Sequence, residues 1–385
     1  FLPGEGEIRR CAALLSGVAA DVRPLYGALP FAEQQAAIRP GPRRRVVLAT
    51  SIAETSLTIE DIRVVIDGGL ARRARFDPGS GMSRLVTEAV TRAEATQRAG
   101  RAGRVAEGRC YRLWTRGEEG ALQAFAPAEI EAADLAGLAL ELALWGAAPE
   151  DLPLLTPPNP GAYAEARALL EMLGALDATG RITPHGKALA ALPLHPRLAH
   201  MLASAGPEAA ALAALLAERD PLGRGAPVDL ALRLSAVRDL RAFEARYVHV
   251  VNRGPLERIK TEARRLAAQA KGRGQGRRSD AECAALAYPD RIGLRRKGDA
   301  PRYVLSGGKG AVLPEGDPMA QTRLIVATDL DGDPREARIR QAIAISEAEI
   351  RGLFADRIAW QNVCLWDRRE RRVIARKQER FGALV

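Results

Sequence analysis

Two short apolar runs near the start of the chain constrain its fold more than any other feature. Residues 46–49 (VVLA) follow three arginines and end at Thr50 and Ser51, and residues 63–66 (RVVI) end at Asp67 and two glycines. Short apolar runs that stop at polar residues are typical of strands buried on both faces, as in a parallel sheet. The chain is therefore predicted to begin with an α/β domain.

The residues around these runs alternate between helical and strand patterns. Helical patterns occupy residues 5–15 and 31–38, and residues 109–114 (RCYRLW) form a further strand pattern. This order predicts a parallel sheet with helices on both faces. Such sheets bind ligands beyond the carboxyl ends of their strands. The polar residues after each apolar run are therefore candidate ligand contacts.

The segment QRAGRAGR, residues 97–104, places Arg98, Arg101 and Arg104 three residues apart with glycines between them. In a helix, this spacing would align the three guanidinium groups along one flank over about two turns. Each glycine would cost such a helix about 1 kcal/mol relative to alanine. Arginine suits phosphate oxygens and can accelerate phosphoryl transfer. A solvated arginine-rich turn would have the same composition, and the segment alone leaves both interpretations open.

Hydroxyl side chains cluster after the first apolar run. Thr50, Thr55, Ser56 and Thr58 could donate hydrogen bonds to phosphate or ribose oxygens if they lie at the end of that strand. A loop whose hydroxyls cap local backbone groups would explain the same cluster.

Four segments, in this order, resemble motifs of the DEAH-box branch of superfamily 2 helicases. FLPGEGEI (residues 1–8) is similar to motif IV, LYGALPFAEQQAAI (25–38) to the segment after it, ATSIAETSLTI (49–59) to motif V and QRAGRAGR to motif VI. Within that branch, the sequences FLPGEGEI and ALAYPDRIG (285–293) resemble those of the bacterial HrpB type. The resemblance covers the whole chain and is strongest up to about residue 202.

This resemblance implies that residues 1–125 form the second RecA-like domain of a helicase motor. Gln97 would position the attacking water or the γ-phosphate of ATP, and Arg101 and Arg104 would act as arginine fingers. Arg98 would serve the internal fold. The residues implied to face the ribose and phosphates are Ser56, Thr58 and Glu60, with glutamate standing where the family more often has aspartate.

The resemblance also implies an RNA-binding face and a direction of movement, 3′ to 5′ along RNA. The implied RNA contacts, mostly to the phosphate backbone, are Gly4, Thr50, Ser51 and Thr55, with Ser51 standing where the family more often has asparagine.

Two elements of a complete helicase motor do not occur in this sequence: a phosphate-binding loop G-x-x-x-x-G-K-[ST] and the sequence Asp-Glu-x-His. We therefore expect a portion of a longer helicase whose first RecA-like domain supplies the Mg²⁺ ligands and forms the rest of the ATP site. By itself this portion is expected to be inactive as an ATPase.

The pattern becomes helical from about residue 127. Leu135, Leu138, Leu142 and Trp145 are predicted to share one helix face, and residues 173–202 predict a helix end, a short hairpin and a helix. The family resemblance implies a winged-helix domain at 126–197 and a helical ratchet-like domain with a basic linker at 198–280. A generic helical linker domain would show the same periodicity. Residues 271–280 (KGRGQGRRSD) are expected to be a flexible linker, with nucleic-acid binding as the alternative.

Strand patterns return in residues 281–385, which predict a small β-rich, barrel-like domain. They lie at 302–305, 324–329, 339–345, 360–366 and 372–376, with 367–370 as a hairpin turn between the last two. Trp360 and Trp366 alternate onto one strand face, and we expect them to pack in a core in preference to stacking on bases.

Composition favours a polyanionic partner. Lysine and arginine number 57 against 47 acids, a formal net charge of +10, and only 4% of residues are aromatic. Contacts to nucleic-acid phosphates are therefore expected to dominate over base stacking. The four cysteines and four histidines are scattered, which predicts no metal site and reduced thiols in a cytoplasmic protein. No apolar run reaches the roughly 18 residues of a membrane span, so no membrane association is expected.

An ATP-dependent RNA helicase explains these features best. A non-hydrolysing RNA-binding or scaffold module, or a DNA-directed helicase, would share much of the same chemistry. The sequence does not indicate an oligomeric state.

Overall fold

A computed structural model describes residues 1–55, 59–77, 82–104, 106–223, 225–274, 276–333, 335–367 and 371–385. The chain forms two compact units, one of residues 1–75 and 85–133 and the other of residues 76–84 and 134–385. These units are coarser than the four domains predicted from the sequence, whose boundaries remain a prediction.

The first unit is an α/β layer structure. Strands β1 and β2 pair in parallel, and so do β3 and β6. The backbone of Phe1 and Leu2 joins the two pairs, because Leu2 N donates to Ala49 O (2.8 Å) and Gly68 N donates to Phe1 O (3.1 Å). The predicted parallel sheet is thereby confirmed. The helices and strands of this part of the chain are α1 (Glu5–Leu14), β1 (Asp21–Leu25), α2 (Phe31–Ile38), β2 (Arg45–Ala49), β3 (Val64–Asp67), α3 (Arg92–Ala99), β6 (Arg109–Arg112), α4 (Arg116–Ala121) and α5 (Glu129–Ala132). A separate two-stranded sheet pairs β4 (Leu70–Asp77) with β5 (Met82–Ala89).

Strand β2 shows why helices cover both faces of this sheet. Leu48 packs with Ile8 of α1, whereas the next residue, Ala49, packs with Ala37 of α2. Successive side chains of a strand point to opposite faces. Helices α1 and α2 therefore lie on opposite sides of the sheet, as the sequence pattern predicted.

Helix α3 ends earlier than a fully helical arginine motif would require. Its first turn is fixed by a capping box between Thr91 and Glu94, and Gly100 caps its carboxyl end after Ala99. Only Arg98 of the three arginines lies within the helix. Arg101 and Arg104 follow in turns, so the three guanidinium groups do not share one helical flank.

The second unit begins with helices α6 to α9. Leu176 and Ile182 form an antiparallel bridge between α7 and α8, which confirms the predicted hairpin. Gly186 allows close packing here, because a Cβ atom at this position would lie 2.2 Å from the carbonyl oxygen of Ala175. Trp145, expected on the buried face of α6, is 68% exposed, since it occupies the last helical residue. The helices are α6 (Ala136–Trp145), α7 (Pro160–Met172), α8 (Pro184–Ala190) and α9 (Pro196–Ala205).

A helical region follows, in which α9 packs on α14 and α10 packs on α13. The stretch Pro196–Ala217 has the length and hydropathy of a membrane span, but 67% of it is buried inside the structure. Arg273 and Gly274, expected in a flexible linker, instead pack on Gly206, whose Cβ would lie 2.3 Å from Arg273 O. The further helices are α10 (Ala210–Ala217), α11 (Leu230–Arg238), α12 (Leu240–Arg246), α13 (Arg253–Gln269) and α14 (Asp280–Ala287).

The last part of the second unit contains a closed five-stranded barrel, as predicted, in the order β10–β11–β9–β8–β7. Its core holds the side chains of Tyr303, Ile325 and Ile339. Helix α15 and a two-stranded antiparallel sheet, β12 with β13, follow the barrel. The bounds are β7 (Ile292–Arg295), β8 (Arg302–Leu305), β9 (Gly310–Val312), β10 (Leu324–Leu330), β11 (Ala337–Ala344), α15 (Glu347–Phe354), β12 (Ile358–Asp367) and β13 (Arg372–Phe381).

The expectation that Trp360 and Trp366 pack in a core is wrong. Trp360 is 61% exposed and Trp366 is 58% exposed. Both residues lie on β12, which pairs only with β13 among the described strands. The predicted turn at 367–370 falls largely on residues 368–370, which lie outside the described residues.

Candidate functional site

A pocket of about 320 Å³ lies in the first unit at the end of α3. It is lined by Thr55, Gln97, Gly100, Arg101 and Arg104. Four of these five are residues predicted from the sequence to contact nucleotide or RNA. The structure therefore brings Arg101, Arg104 and one member of the hydroxyl cluster, Thr55, to one open cavity.

Arg98 is excluded from this pocket by its burial. Its side chain is 1% exposed, and its Nε donates to Glu54 Oε2 (3.1 Å) while its Nη1 donates to Asp67 Oδ1 (2.9 Å). The guanidinium also lies over the ring of Phe1, 5.0 Å from its centroid. A buried cation held by two carboxylates is a structural element. This agrees with the internal role that the family resemblance implied.

Glu54 links the buried network to the pocket. Its carboxylate accepts from Arg98, and its backbone carbonyl accepts from Nε of Arg101 (2.9 Å) and also from Nη2. Burial raises the pKa of Glu54, and the hydrogen bond and charge of Arg98 oppose that rise. Glu54 thus fixes the position of Arg101, and Arg98 in turn holds Glu54 in place.

The two pocket arginines lie close enough to affect each other. The pKa of Arg101 is lowered, first by partial burial and then by the positive charge of Arg104, with Glu54 acting in the opposite direction. Two like charges beside one open cavity repel each other. An anion bound between them would relieve that repulsion, and guanidinium groups pair well with phosphate oxygens. The pocket can therefore bind a phosphate-bearing ligand.

A second ion-pair network fixes the start of α3. Arg73 of β4 pairs with Glu94 in the first helical turn and with Glu88 of β5. Although burial alone would raise it, the pKa of Glu94 is lowered by hydrogen bonds from Arg73 and Thr91. Helix α3 is thus held at its first turn by Arg73 and near its last turn by Arg98, which positions Gln97 on the pocket wall.

The other predicted site residues that the structure describes lie outside the pocket lining. Thr50 and Ser51 follow β2, where Thr50 precedes a short 3₁₀ turn and Ser51 is exposed. Glu60 is exposed, and its backbone carbonyl accepts from Arg45 (3.4 Å). Gly4 is buried, and a Cβ atom there would lie 2.5 Å from the Arg72 side chain. Ser56 and Thr58 lie outside the described residues.

Three residues of the site were not predicted from the sequence. Glu54 and Asp67 hold Arg98, and Gly100 lines the pocket. Asp67 is the last residue of β3, whereas Glu54 follows the short 3₁₀ turn after β2. An acid at a predicted strand end was therefore a signal for Asp67 but not for Glu54. Among the residues that the structure describes, no cluster of three or more His, Cys, Asp or Glu side chains could hold a metal ion.

An arginine pocket at the edge of an α/β sheet, followed by helices and a barrel, is the arrangement of a helicase C-terminal portion. Models of known families agree in three places. Residues 5–106 match the helicase conserved C-terminal domain, 166–194 match the winged-helix helicase-associated domain, and 357–385 match the connector region of the ATP-dependent RNA helicase HrpB.

Curated proteins and solved structures give the same result. The chain is 36% identical over 399 residues to the ATP-dependent RNA helicase HrpB of Escherichia coli K12, covering 100% of this chain and 47% of that protein. It is 35% identical over 243 residues to the ATP-dependent RNA helicase HrpA of the same organism, covering 60% of this chain and 18% of that protein.

A crystal structure of the E. coli DExH-box NTPase HrpB matches with a TM-score of 0.85 at 36% identity, covering 100% of this chain and 46% of that one. The chain thus belongs to the DEAH-box helicases of the HrpB type. It spans about half the length of the HrpB relative and a smaller share of the HrpA relative.

Proposed function

We propose that this chain supplies the arginine-bearing wall of the ATP site in an ATP-dependent RNA helicase. The observation that carries the proposal is the open pocket in which Arg101 and Arg104 lie beside Gln97. The relatives that match the chain are named ATP-dependent RNA helicases.

The pocket fits the phosphates of ATP by charge and by geometry. Arg101 is fixed by the backbone carbonyl of Glu54, so its guanidinium loses little further freedom when it pairs with a phosphate oxygen. Fixed cations beside a transferring phosphoryl group stabilise the charge that develops in the transition state. In this proposal Gln97 orients the attacking water, and Arg101 and Arg104 neutralise the terminal phosphates.

The remaining parts of the site are proposed on the family resemblance. Ser56, Thr58 and Glu60 would face the nucleotide, and the Mg²⁺ ligands would come from a first RecA-like domain that closes on this one. Gly4, Thr50, Ser51 and Thr55 would contact the RNA backbone during 3′ to 5′ movement. Helices α10 to α14 would form the ratchet-like domain. A cytoplasmic location is proposed on the scattered, unpaired cysteines.

The decisive experiment measures RNA-stimulated ATP hydrolysis by the full-length protein. Loss of an arginine finger reduces the rate by about 10³- to 10⁵-fold, and we expect Arg101→Ala and Arg104→Ala to approach that loss. The matched control is Arg92→Ala, an exposed arginine at the start of the same helix that does not line the pocket. Unchanged hydrolysis in Arg101→Ala would overturn the proposal.

Two further measurements separate the alternative functions. This chain alone is expected to hydrolyse ATP negligibly and to gain activity when a separately expressed first domain is added. RNA binding that is indifferent to ATP and to Arg101 in the full-length protein would favour a non-hydrolysing module. Stronger stimulation of the ATPase by DNA than by RNA would favour a DNA-directed helicase.

A further inference from the structure

The sheet of β12 and β13 presents two tryptophans to solvent on one face. In the observed register Trp360 lies opposite Glu379, and Trp366 lies opposite Val373. The tryptophans are six positions apart on β12, so both side chains point to the same side, about 20 Å apart at roughly 3.3 Å per residue. Trp360 is 61% exposed and Trp366 is 58% exposed, so both residues are accessible to a ligand.

Between the tryptophans the same face is polar or small. Asn362 lies opposite Lys377, and Cys364 lies opposite Ala375, and all four are exposed. A surface that docks another protein through apolar contacts is usually a contiguous apolar patch. Here the two rings are isolated from each other by short or hydrophilic side chains.

The charge of the sheet and its connecting residues favours a polyanion. Residues 358–381 contain seven Arg or Lys and three Asp or Glu. The arginines of β13 alternate onto the opposite face, and Lys377 is the cation of the tryptophan face among the described residues. Lys377 places its Nζ 5.7 Å from the centroid of the Trp360 ring. Glu379, the acidic residue of this face, is paired with Arg351 at 2.6 Å and 2.9 Å, and that hydrogen bonding lowers its pKa. The pairing offsets the negative charge nearest to Trp360.

The base of the sheet is anchored, so its exposed face is held in place. Phe381 packs on Phe354 of α15, with ring centroids 5.1 Å apart. Ala383 N donates to Ser306 O (2.9 Å) at the end of β8. The preceding Gly382 has a φ of +55°, and a Cβ atom there would lie 2.3 Å from Ser306 O. This close contact fixes β13 to the barrel and lowers the entropy lost when a ligand binds.

We propose that the Trp360–Lys377–Trp366 face of this sheet is a second RNA-binding site, which stacks unpaired bases on the two indoles and pairs a phosphate with Lys377. Stacking on aromatic side chains together with nearby cations is the usual mode of sequence-tolerant binding to single strands. The site lies outside the arginine pocket. It rests on the proposed function only in taking RNA as its ligand.

The test measures binding of this 385-residue chain to a fluorescently labelled oligouridylate by anisotropy, without nucleotide. Loss of one stacking ring weakens single-strand binding by roughly 5- to 150-fold, and we expect Trp360→Ala and Trp366→Ala to fall in that range. Trp145→Ala is the matched control, because Trp145 is 68% exposed outside this sheet. Affinities of Trp360→Ala and Trp366→Ala equal to that of the control would overturn the proposal.

Two additional variants test the mode of contact. Trp360→Phe keeps a stacking ring and should retain most of the affinity, whereas Trp360→Leu keeps only apolar bulk and should not. Equal affinities of the two would overturn base stacking and point to an apolar partner such as another protein. Lys377→Gln should reduce the slope of log affinity against log salt by about 0.7, the value for one phosphate contact to a single strand, and an unchanged slope would overturn the phosphate contact.

The ATPase of the full-length protein distinguishes this proposal from the proposed function. Failure of Arg101→Ala to reduce hydrolysis would count against the ATP site and leave the stacking result unaffected. Conversely, normal RNA affinity in the tryptophan variants would count against the stacking face alone.

Discussion

The arginine pocket of the first unit and the β12–β13 sheet of the second unit present positive charge in opposite ways. In the pocket, Arg101 and Arg104 flank one cavity, and a buried network beneath it fixes the position of Arg101. On the sheet, cations and aromatic rings are spread along two exposed strands, and only the base is anchored.

The difference indicates two kinds of anionic ligand. A concave pocket with converging guanidinium groups suits a compact polyanion such as a triphosphate, because several charges act on the same group. An open sheet with separated rings suits an extended chain, because successive bases and phosphates can each contact a different side chain. Loss of scaffold stability should therefore impair ligand binding most at the pocket and least at the sheet.

Removal of the buried cation beneath the pocket should have the largest effect on stability. Arg98→Ala leaves Glu54 and Asp67 buried without their partner. Breaking a buried ion pair from one side costs about 3–5 kcal/mol. We expect a lowered urea midpoint for the first unit, measured by far-ultraviolet circular dichroism. The exposed Arg92→Ala on the same helix is the control, and a shift as small as that of the control would show that Arg98 does not hold the site together.

The pH dependence of the free energy of unfolding should report on the histidine pair of α8 and α9 and not on either anion site. His185 Nε2 and His200 Nδ1 lie 2.8 Å apart, and burial together with the charge of His185 lowers the pKa of His200 to about 4. The unfolded chain therefore binds more protons between pH 6.5 and pH 4, so stability falls as pH falls through that range, by up to about 3 kcal/mol.

The measurement is the free energy of unfolding at several pH values in the wild-type chain and in His200→Gln. The variant should lose most of this pH dependence. His249→Gln, which changes a histidine outside the pair, should keep it. A wild-type profile that is flat between pH 6.5 and pH 4 would contradict the buried, neutral state of His200.

The parallel sheet and the helices that cover it could be predicted from the sequence because local pattern controls them. Apolar runs that end in polar residues located β2 and β3, and the alternation of helices and strands located α1 and α2. These elements depend on propensity and on burial of one face, which are visible in a short window of sequence.

The separate roles of the three arginines could not be derived from spacing. Arg98 and Arg101 are three residues apart in similar surroundings, yet one is buried and the other lines a pocket. The difference arises because Gly100 ends α3, and because Asp67 approaches from β3 and Glu54 from the turn after β2. Such contacts are long-range, and the internal role of Arg98 was reached through the family resemblance alone.

The exposure of Trp360 and Trp366 shows a second limit of prediction from a sequence pattern. Alternation predicts which side chains share a face of a strand. It does not tell whether another layer covers that face. In this structure β12 pairs with β13 and no other described strand, so a face that would be core in a sandwich is open to solvent.

Loosening the anchor of the sheet should have a moderate effect on stability. Gly382→Ala places a Cβ atom 2.3 Å from Ser306 O at a φ of +55°. We expect a loss of about 1–3 kcal/mol from strain and lost packing, measured by urea unfolding of the whole chain. Gly352→Ala is the control, since a Cβ atom there meets nothing within 4 Å. Gly382→Ala should also weaken RNA binding while leaving the arginine pocket intact. Equal stability and equal RNA affinity of Gly382→Ala and Gly352→Ala would contradict the anchoring role of this contact.

The smallest expected effect is a change in thiol reactivity on the sheet. Cys364 is exposed between the tryptophans, whereas Cys283 is buried and its pKa is raised to about 12 by that burial. Alkylation should therefore modify Cys364 readily and Cys283 hardly at all, because the thiolate is the reactive form.

Saturating oligouridylate should slow the modification of Cys364 several-fold in the wild-type chain, as measured by peptide mass spectrometry. In Trp366→Ala the protection should shrink, since the strand that covers the thiol is held less tightly. Full reactivity of Cys364 in the RNA complex would place the bound strand elsewhere and leave the arginine pocket as the better candidate for the anion contacts of this chain.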